Sequence, residues 1–195
     1  MRRNSMRLSR IAAAIPFAAL TAFAIAAAPA RATQPPPQPK PGPEHAILKM
    51  DEGTWDAIIE VVPGPGATPV TTKGVEVNTI GCGGLCLISD FKGEAMPGVP
   101  FHGHGVAAWD PGKKKYVGSW TDSLSQGIAV GESTWDPASK KMTGWMEGRD
   151  ATGNLMKSRT VSETPQEGKR VMTMYAPGPD GKEMQMMRIT YARRK

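Results

Sequence analysis

The sequence is poor in cysteine and lacks several common catalytic motifs. Its 195 residues include two cysteines, too few for a structural zinc site unless histidines complete the ligand set. No P-loop and no dinucleotide-binding fingerprint is present. No G-x-S-x-G elbow marks a serine nucleophile. The chain therefore shows no recognisable nucleotide-binding or serine-triad motif.

The two cysteines, Cys82 and Cys86, lie in the segment Gly-Cys-Gly-Gly-Leu-Cys. The glycines at 83 and 84 permit the tight reversal that so small a ring needs. Two nearby cysteines usually pair in an oxidising compartment, so the sequence predicts a disulfide. Two free buried thiols are the alternative. A redox role is disfavoured because the spacing is C-x3-C and no helix start follows it.

The N-terminal segment, residues 1–32, has the pattern of a cleavable signal peptide. A basic opening is followed by an uncharged apolar run over 11–29 and by Ala30-Arg31-Ala32, which predicts cleavage after Ala32. A membrane anchor is the alternative, but alanine is weakly apolar and Pro16 interrupts the run. No cysteine follows the run to carry a lipid. We therefore expect a soluble periplasmic or secreted protein without a stable membrane anchor.

Removing this segment changes the charge of the chain. All five basic residues in 1–32 disappear, which leaves 19 basic against 18 acidic residues and a net charge of +1. The pI near 9.4 thus belongs to the precursor, and no nucleic-acid partner is expected. Residues 33–43 are proline-rich and predict an extended linker. Residues 44–195 have the length of a single domain.

Turn signals divide the domain every eight to twelve residues or so, and the stretches between them are rich in β-branched, aromatic and methionine residues. One helix is predicted at 44–51. Strands are predicted at 55–62, 70–80, 85–91, 101–109, 116–120, 127–135, 141–147, 156–163, 170–175 and 183–191. Hairpin-length loops leave no room for crossover helices. The pattern predicts an all-β fold, an antiparallel up-and-down meander closed into a barrel.

Several motifs in order resemble a known bacterial family. They are Gly53-Thr-Trp55, Trp109-Asp110, Trp120-Thr-Asp122-Ser123, Gly131-Glu-Ser-Thr134, the segment 175–183 (YAPGPDGKE) and Ile189-Thr-Tyr191. Over about residues 44–195 the chain resembles the family called domain of unknown function 1579. The resemblance implies a lipocalin-like, calycin-type barrel and carries over no catalytic residue. The chain departs from the family pattern at its cysteine pair and at His102 and His104.

The stretch Phe101-His-Gly-His-Gly105 is chemically suggestive. On a strand, His102 and His104 project from one face and could share a metal ion or haem iron. A third ligand would have to come from His45, Asp122 or Glu132. The alternative is two surface histidines near a turn.

Methionine and tryptophan are concentrated in the later strands. Ten of the twelve methionines and all five tryptophans follow residue 32. Methionine adapts to irregular apolar shapes, so these side chains could line a ligand cavity; they could equally fill the core. The candidate ligand-binding residues are Trp109, Trp120, Met146, Arg159, Met174 and Arg188, with the two arginines available for a carboxylate if they point inward.

The sequence therefore favours a non-catalytic barrel that binds a small hydrophobic or amphipathic molecule in a cavity of roughly a few hundred Å³. A metal- or haem-binding barrel using His102 and His104 is the first alternative. An enzyme of unknown class is the second, and it would bring a carboxylate or histidine to Ser123 or Ser125. A structural or interaction module is the third, and it would show an apolar patch outside the barrel.

Overall fold

Ten strands, one short helix and one 3-10 turn make up the regular structure in a computed structural model that describes residues 37–150 and 152–195. The helix α1 is Pro43–Lys49 and the 3-10 turn is Cys82–Gly84. The strands are β1 Gly53–Val61, β2 Val70–Gly81, β3 Cys86–Met96, β4 Val99–Asp110, β5 Lys115–Asp122, β6 Ala129–Asp136, β7 Lys141–Arg149, β8 Leu155–Gln166, β9 Lys169–Pro177 and β10 Glu183–Arg193. The predicted signal peptide lies outside the described residues.

The strands form a closed antiparallel barrel. Each strand pairs with its neighbours in the sequence, and β1 pairs with β10 to complete the ring. Closure gives both outer strands a partner, so the barrel leaves no free strand edge. The predicted meander barrel of about ten strands with a short N-terminal helix is confirmed.

The boundaries differ from the predicted ones at a few places. The helix begins at Pro43, one residue early, because proline is suited to the first helical turn. The backbone N–H of Gly42 donates to Nδ1 of His45 at 2.9 Å, which holds the helix start. Strand β3 continues to Met96 rather than ending at residue 91, since its pairing with β4 runs on to Val99.

The register of the strands determines which side chains point into the barrel. On β1, Trp55, Ala57 and Ile59 are buried, whereas Ile58 between them is 48% exposed. Directly opposed residues of an antiparallel pair lie on the same face. Because Trp55 points inward, its partner Glu76 on β2 also points inward. The same rule identifies the inward residues of each following strand around the ring.

Two apolar clusters of buried residues lie in the interior. The larger consists of Trp55, Ala57, Ile59, Phe91, Ile189 and Tyr191. The smaller consists of Leu48, Leu87 and Tyr116, and it joins α1 to the barrel. Burial of each large side chain contributes about 1.5–3 kcal/mol.

Helix α1 covers one end of the barrel, called the helix end below. Leu48 is 5% exposed there, and the Tyr116 hydroxyl donates to the backbone carbonyl of Glu44 at 3.0 Å. The indole N–H of Trp55 donates to the carbonyl of Asp51 at 2.9 Å. These contacts fix the segment that links α1 to β1.

Candidate functional site

The barrel contains a cavity of about 220 Å³. Residues of six consecutive strands, β3 to β8, line it, from Ser89 on β3 to Thr160 on β8. Inward side chains of these strands meet inside the ring, so the cavity lies on the inner face of the sheet, and it is partly open. Its volume is a little below the range of about 300–1,000 Å³ typical of drug-sized ligands. Below we call it the interior cavity.

Glycines on the inner face create the room for this cavity and for the ring of Trp120. A Cβ atom at Gly103 would lie 2.1 Å from the Trp120 ring, and one at Gly105 would lie 2.8 Å from it. The indole can therefore lie flat against β4 only because both positions lack a side chain. The indole N–H donates to the Asp122 carboxylate at 2.9 Å, which fixes the ring.

The interior cavity has apolar and hydroxyl-bearing walls. Its inward side chains include Trp120, Met146 and Tyr116, together with the hydroxyl residues Ser89, Ser133 and Thr160. Glu132 also lies at the wall, but its register on β6 places the side chain outward. Among the residues that line the cavity, no other is charged. The walls therefore suit a neutral molecule.

The carboxylate of Glu132 is held on the outer surface by two lysines. Nζ of Lys113 lies 2.6 Å from one oxygen and Nζ of Lys115 lies 2.8 Å from the other. These hydrogen bonds lower the pKa of Glu132 to about 2. The charge is thus fully engaged away from the interior.

The structure places four of the predicted ligand residues inside the barrel. Trp120 and Met146 line the interior cavity. Met174 pairs with Thr160 and Met187 and shares their inward face. Trp109 lies toward the helix end, its ring centroid 5.0 Å from that of Tyr116. Ligand binding by these residues stays a prediction.

The two predicted arginines do not point inward. Arg159 lies on the outer face, forms a bidentate pair with Glu183 and stacks over Tyr175 at 4.1 Å. Arg188 is exposed on the outer face of β10, opposite Glu60 and Thr173. The proposed carboxylate-binding role of both arginines inside the barrel is therefore corrected: their register turns them to solvent.

His102 and His104 also lie on the outer face, because Gly103 and Gly105 between and beside them face inward. His104 Nδ1 lies 2.8 Å from an Asp90 oxygen. Within the described part of the chain, no three histidine, cysteine, aspartate or glutamate side chains form a group that could hold a metal ion. The structure thus brings no third protein ligand to the pair.

The suggested third ligands are engaged elsewhere. His45 accepts the Gly42 N–H at the start of α1, and Glu132 binds its two lysines. Asp122 accepts from the Trp120 indole, the Leu124 backbone and the Ser125 hydroxyl.

The serines considered for an enzyme lie at an exposed turn. Ser125 donates to Asp122 at 3.0 Å, and Ser123 Oγ accepts the backbone N–H of His102 at 3.2 Å. The carboxylate of Asp122 also accepts the N–H groups of Trp120 and Leu124. These contacts are those of a turn that organises its own backbone.

A buried charged cluster lies inside the barrel near the helix end. Arg170 on β9 contacts the carboxylate of Glu76 on β2 and lies 3.0 Å from that of Asp51. Its guanidinium stacks over Tyr191 at 4.0 Å and over Trp55 at 5.1 Å. The cluster therefore ties four strands, β1, β2, β9 and β10, to the segment that follows α1.

The surroundings set the ionisation of this cluster. Burial alone would lower the pKa of Arg170, but the carboxylates of Asp51 and Glu76 outweigh it and raise that pKa. Burial raises the pKa of Tyr191, and the Glu76 carboxylate raises it further. Arg170 is thus a permanent cation and Tyr191 a neutral phenol.

Asn78 extends the cluster toward the interior cavity. Its Nδ2 donates to Glu76 Oε1 at 2.7 Å and to the Asp51 carbonyl at 3.0 Å, so its orientation is set by two acceptors. Its Oδ1 is buried and has no hydrogen-bond donor. Asn78 pairs directly with Ser89, which lines the cavity. Asn78 itself is not among the residues that line the cavity, so its unused acceptor belongs to the buried cluster. Buried acceptors of this kind commonly bind an ordered water.

The charged cluster was missed by the sequence analysis. On β2 the apolar residues Val75 and Val77 alternate with Glu76 and Asn78, a pattern that favours an outward Glu76. The structure reverses this, with Val77 43% and Glu76 6% exposed. Thr72 and Ile80 lie at even-numbered positions, like Glu76 and Asn78, and also face inward. Ile80 was thus a sequence signal that the even-numbered face of β2 points into the barrel.

The predicted pairing of Cys82 with Cys86 is present as a disulfide whose Cα atoms are 5.6 Å apart. Cys82 and Gly83 both have positive φ values, 54° and 67°. The bond therefore closes the tight reversal between β2 and β3 that the glycines allow.

A closed meander of ten antiparallel strands around a small cavity defines a lipocalin-like β-barrel protein. Residues 40–193 match the family model described as "Protein of unknown function (DUF1579)", and the chain belongs to that family. This confirms the resemblance carried by the sequence motifs. No curated protein matches the chain by sequence. In the described residues, no helix has the length and apolar character needed to cross a membrane.

Two solved structures resemble the chain at low sequence identity. The S-type phycobiliprotein lyase CPES from Guillardia theta superposes with a TM-score of 0.54 at 12% identity, covering 78% of this chain and 93% of the lyase. A redesigned β-barrel, b11L5F_LGL, has a TM-score of 0.43 at 14% identity, with 76% and 96% coverage. The likeness to the lyase shows a common fold.

Proposed function

We propose that this protein is an exported, non-catalytic barrel that binds a small, neutral, amphipathic molecule in its interior cavity. The observation that carries the proposal is the 220 Å³ cavity walled by Trp120, Met146 and hydroxyl side chains. An aromatic ring and a thioether supply apolar contact, and hydroxyls orient one or two polar atoms of the ligand. The lipocalin-like fold shared with a phycobiliprotein lyase is compatible with a ligand in the barrel.

The neutrality of the ligand follows from the cost of burying charge. An ionised group transferred to an apolar site without a partner is strongly destabilised. The charged side chain at the wall, Glu132, is turned outward to its lysines. A neutral molecule with one hydroxyl instead finds the hydroxyl groups of Ser133 and Thr160 at the wall.

Binding can be tested with 2-naphthol, a neutral two-ring probe with one hydroxyl group. At about −0.4 kcal/mol for each of its roughly eleven non-hydrogen atoms, binding of about −4.5 kcal/mol corresponds to a sub-millimolar Kd. Isothermal titration calorimetry on the folded chain should detect it. The variant Thr160→Leu places extra volume in the cavity and should weaken binding about tenfold or more.

The matched control is Thr143→Leu, because Thr143 is exposed on the outer face of the neighbouring strand. It should leave the affinity unchanged. The proposal fails if the unmodified protein does not bind 2-naphthol, or if Thr160→Leu binds it as well as Thr143→Leu does. If the proposal holds, native mass spectrometry of protein purified from its own host should identify the natural ligand.

Export is supported by the signal-peptide pattern of residues 1–32 and by the disulfide, which is typical of oxidising compartments. N-terminal sequencing of the protein from its host should find a mature chain that begins at Thr33. Replacing the small residue at the cleavage site, Ala32→Leu, should leave the precursor uncut. A full-length, uncleaved chain in the cytoplasm of the unmodified host would contradict export.

A further inference from the structure

A second, larger cavity opens at the helix end of the barrel. Its volume is about 530 Å³, within the usual range of small-molecule sites. The lining comes from the end of α1, the start of β1, the β6–β7 and β8–β9 turns and the end of β10. It shares no lining residue with the interior cavity. We call it the helix-end cleft.

The cleft has aromatic and apolar walls. Trp135 is half-buried and packs against the cluster beneath α1. Trp55 contributes from the barrel floor, where the Arg193 guanidinium lies 4.3 Å from its ring. Met50 and Pro137 complete the apolar surface, and Met50 is 41% exposed although it is a large hydrophobic residue.

The charges of the cleft are already partly paired. The Asp51 carboxylate lies 3.0 Å from Nη1 of the buried Arg170. The Arg193 guanidinium donates to the backbone carbonyls of Met50 and Glu52. Both groups are therefore committed to holding the segment after α1.

The remaining charged groups are Lys49, Lys140 and Glu167. Among the residues that the structure describes, neither lysine has a carboxylate within ion-pair distance. Counting every lining residue, Lys49, Lys140 and Arg193 outnumber Asp51 and Glu167 by one. The cleft thus offers two unpaired ammonium groups, from different elements, beside an aromatic wall.

We propose that the helix-end cleft binds a small anionic aromatic molecule, with its carboxylate between Lys49 and Lys140 and its ring against Trp135. Hydrogen bonds in which both donor and acceptor are charged are about twice as strong as neutral ones. Aromatic contact adds orientation. This site is separate from the interior cavity and takes a ligand of different charge.

Two probes of equal shape test the role of charge: 2-naphthoate, an anion at neutral pH, and 2-naphthamide, its neutral amide. Calorimetry on the folded chain should show naphthoate binding roughly tenfold more tightly, which is about 1.4 kcal/mol and is the size expected of a charge-assisted contact. The difference should shrink at high salt, because partly exposed charges are screened. Equal affinity for the two probes, or no binding of naphthoate, would refute the proposal.

Variants locate the site. Lys140→Gln and Lys49→Gln should each weaken naphthoate binding about threefold to fivefold and leave naphthamide unchanged. Lys114→Gln is the matched control, because Lys114 has the same left-handed backbone, φ 52° against 54° for Lys140, but lies outside the cleft. If Lys114→Gln matches Lys140→Gln, the effect is general surface charge and the site is wrong.

A last comparison separates the two cavities. Thr160→Leu, which fills the interior cavity, should leave naphthoate affinity unchanged. Loss of naphthoate binding in Thr160→Leu would assign the anion to the interior cavity and overturn this proposal. Loss of 2-naphthol binding in the same variant would at the same time support the proposed function, so the two ideas fail independently.

Discussion

Replacing Arg170 with methionine should destabilise the barrel more than any substitution of a surface charge. The Arg170 side chain is 10% exposed and that of its partner Glu76 is 8% exposed. Methionine retains much of the packing against Tyr191 and Trp55 but leaves the Glu76 carboxylate buried without a cation. Breaking a buried pair in this way costs about 3–5 kcal/mol.

The measurements are equilibrium unfolding in urea, which gives the free energy of unfolding, and thermal unfolding, which gives Tm. Both are followed by tryptophan fluorescence. For a domain of this size each kcal/mol lowers Tm by about 2–4 °C, so Arg170→Met should melt roughly 10 °C below the unmodified protein. Arg159→Met is the matched control. The Arg159–Glu183 pair also joins an arginine to a glutamate, but its side chains are 40% and 49% exposed. Its loss should cost at most about 1 kcal/mol.

The double variant Arg170→Met/Glu76→Gln tests the physical reason. If the penalty comes from an uncompensated carboxylate, neutralising Glu76 should recover about 2 kcal/mol relative to the sum of the single changes. Additive effects would show that Arg170 acts by packing alone. A loss below about 1 kcal/mol in Arg170→Met would refute the buried-pair argument altogether.

Two further predictions concern the surface and the disulfide. The carboxyl of Glu132 should titrate near pH 2 by carbon-13 NMR, because hydrogen bonds from Lys113 and Lys115 lower its pKa. The stability that the ionised carboxylate contributes is complete above the ordinary pKa of about 4.5 and is lost as pH falls through 2. Replacing both lysines with alanine should raise this pKa toward 4.5, and an unchanged value would contradict the assigned contacts. Cys82→Ser/Cys86→Ser opens a five-residue ring and should lower the free energy of unfolding by about 2 kcal/mol in urea. A reducing agent should then destabilise the unmodified protein but not the double variant, and equal sensitivity would contradict a disulfide.

The strands could be predicted from the sequence because the signals that define them are local. Turn motifs such as Asp110-Pro-Gly and Gly178-Pro-Asp-Gly end one strand and begin the next, and short loops force antiparallel neighbours. Closure also followed, since a meander of ten strands leaves two edges that pairing with each other protects. These features depend on residues close together in the chain.

The inward face of a strand depends on distant residues, and the local pattern gave only a weak signal for it. Glu76 is buried because Arg170, 94 positions later, supplies its counter-ion. Alternation along β2 alone favours the valines. Arg159 and Arg188 illustrate the converse: an inward position was considered for both, yet their register faces them outward. Only the pairing of all ten strands resolves such positions.

The interior is divided by residue size, and this division locates the interior cavity. Inward positions on β1 and β10 carry Trp55, Ile59 and Tyr191, which fill their half of the ring. Inward positions on β4 to β7 include a series of glycines, Gly103, Gly105, Gly118, Gly131 and Gly144, and the interior cavity lies against these strands.

The charged cluster stabilises the filled half, whereas the cavity belongs to the glycine-rich half. Arg170→Met should therefore lower stability without changing 2-naphthol affinity at a temperature where the variant is folded. Thr160→Leu should weaken 2-naphthol binding without lowering stability. Sites without shared partners behave additively, so the double variant should show both effects at full size. If Arg170→Met weakens 2-naphthol binding as much as Thr160→Leu does, then the buried charges act on the ligand, and the assignment of a neutral site must be abandoned.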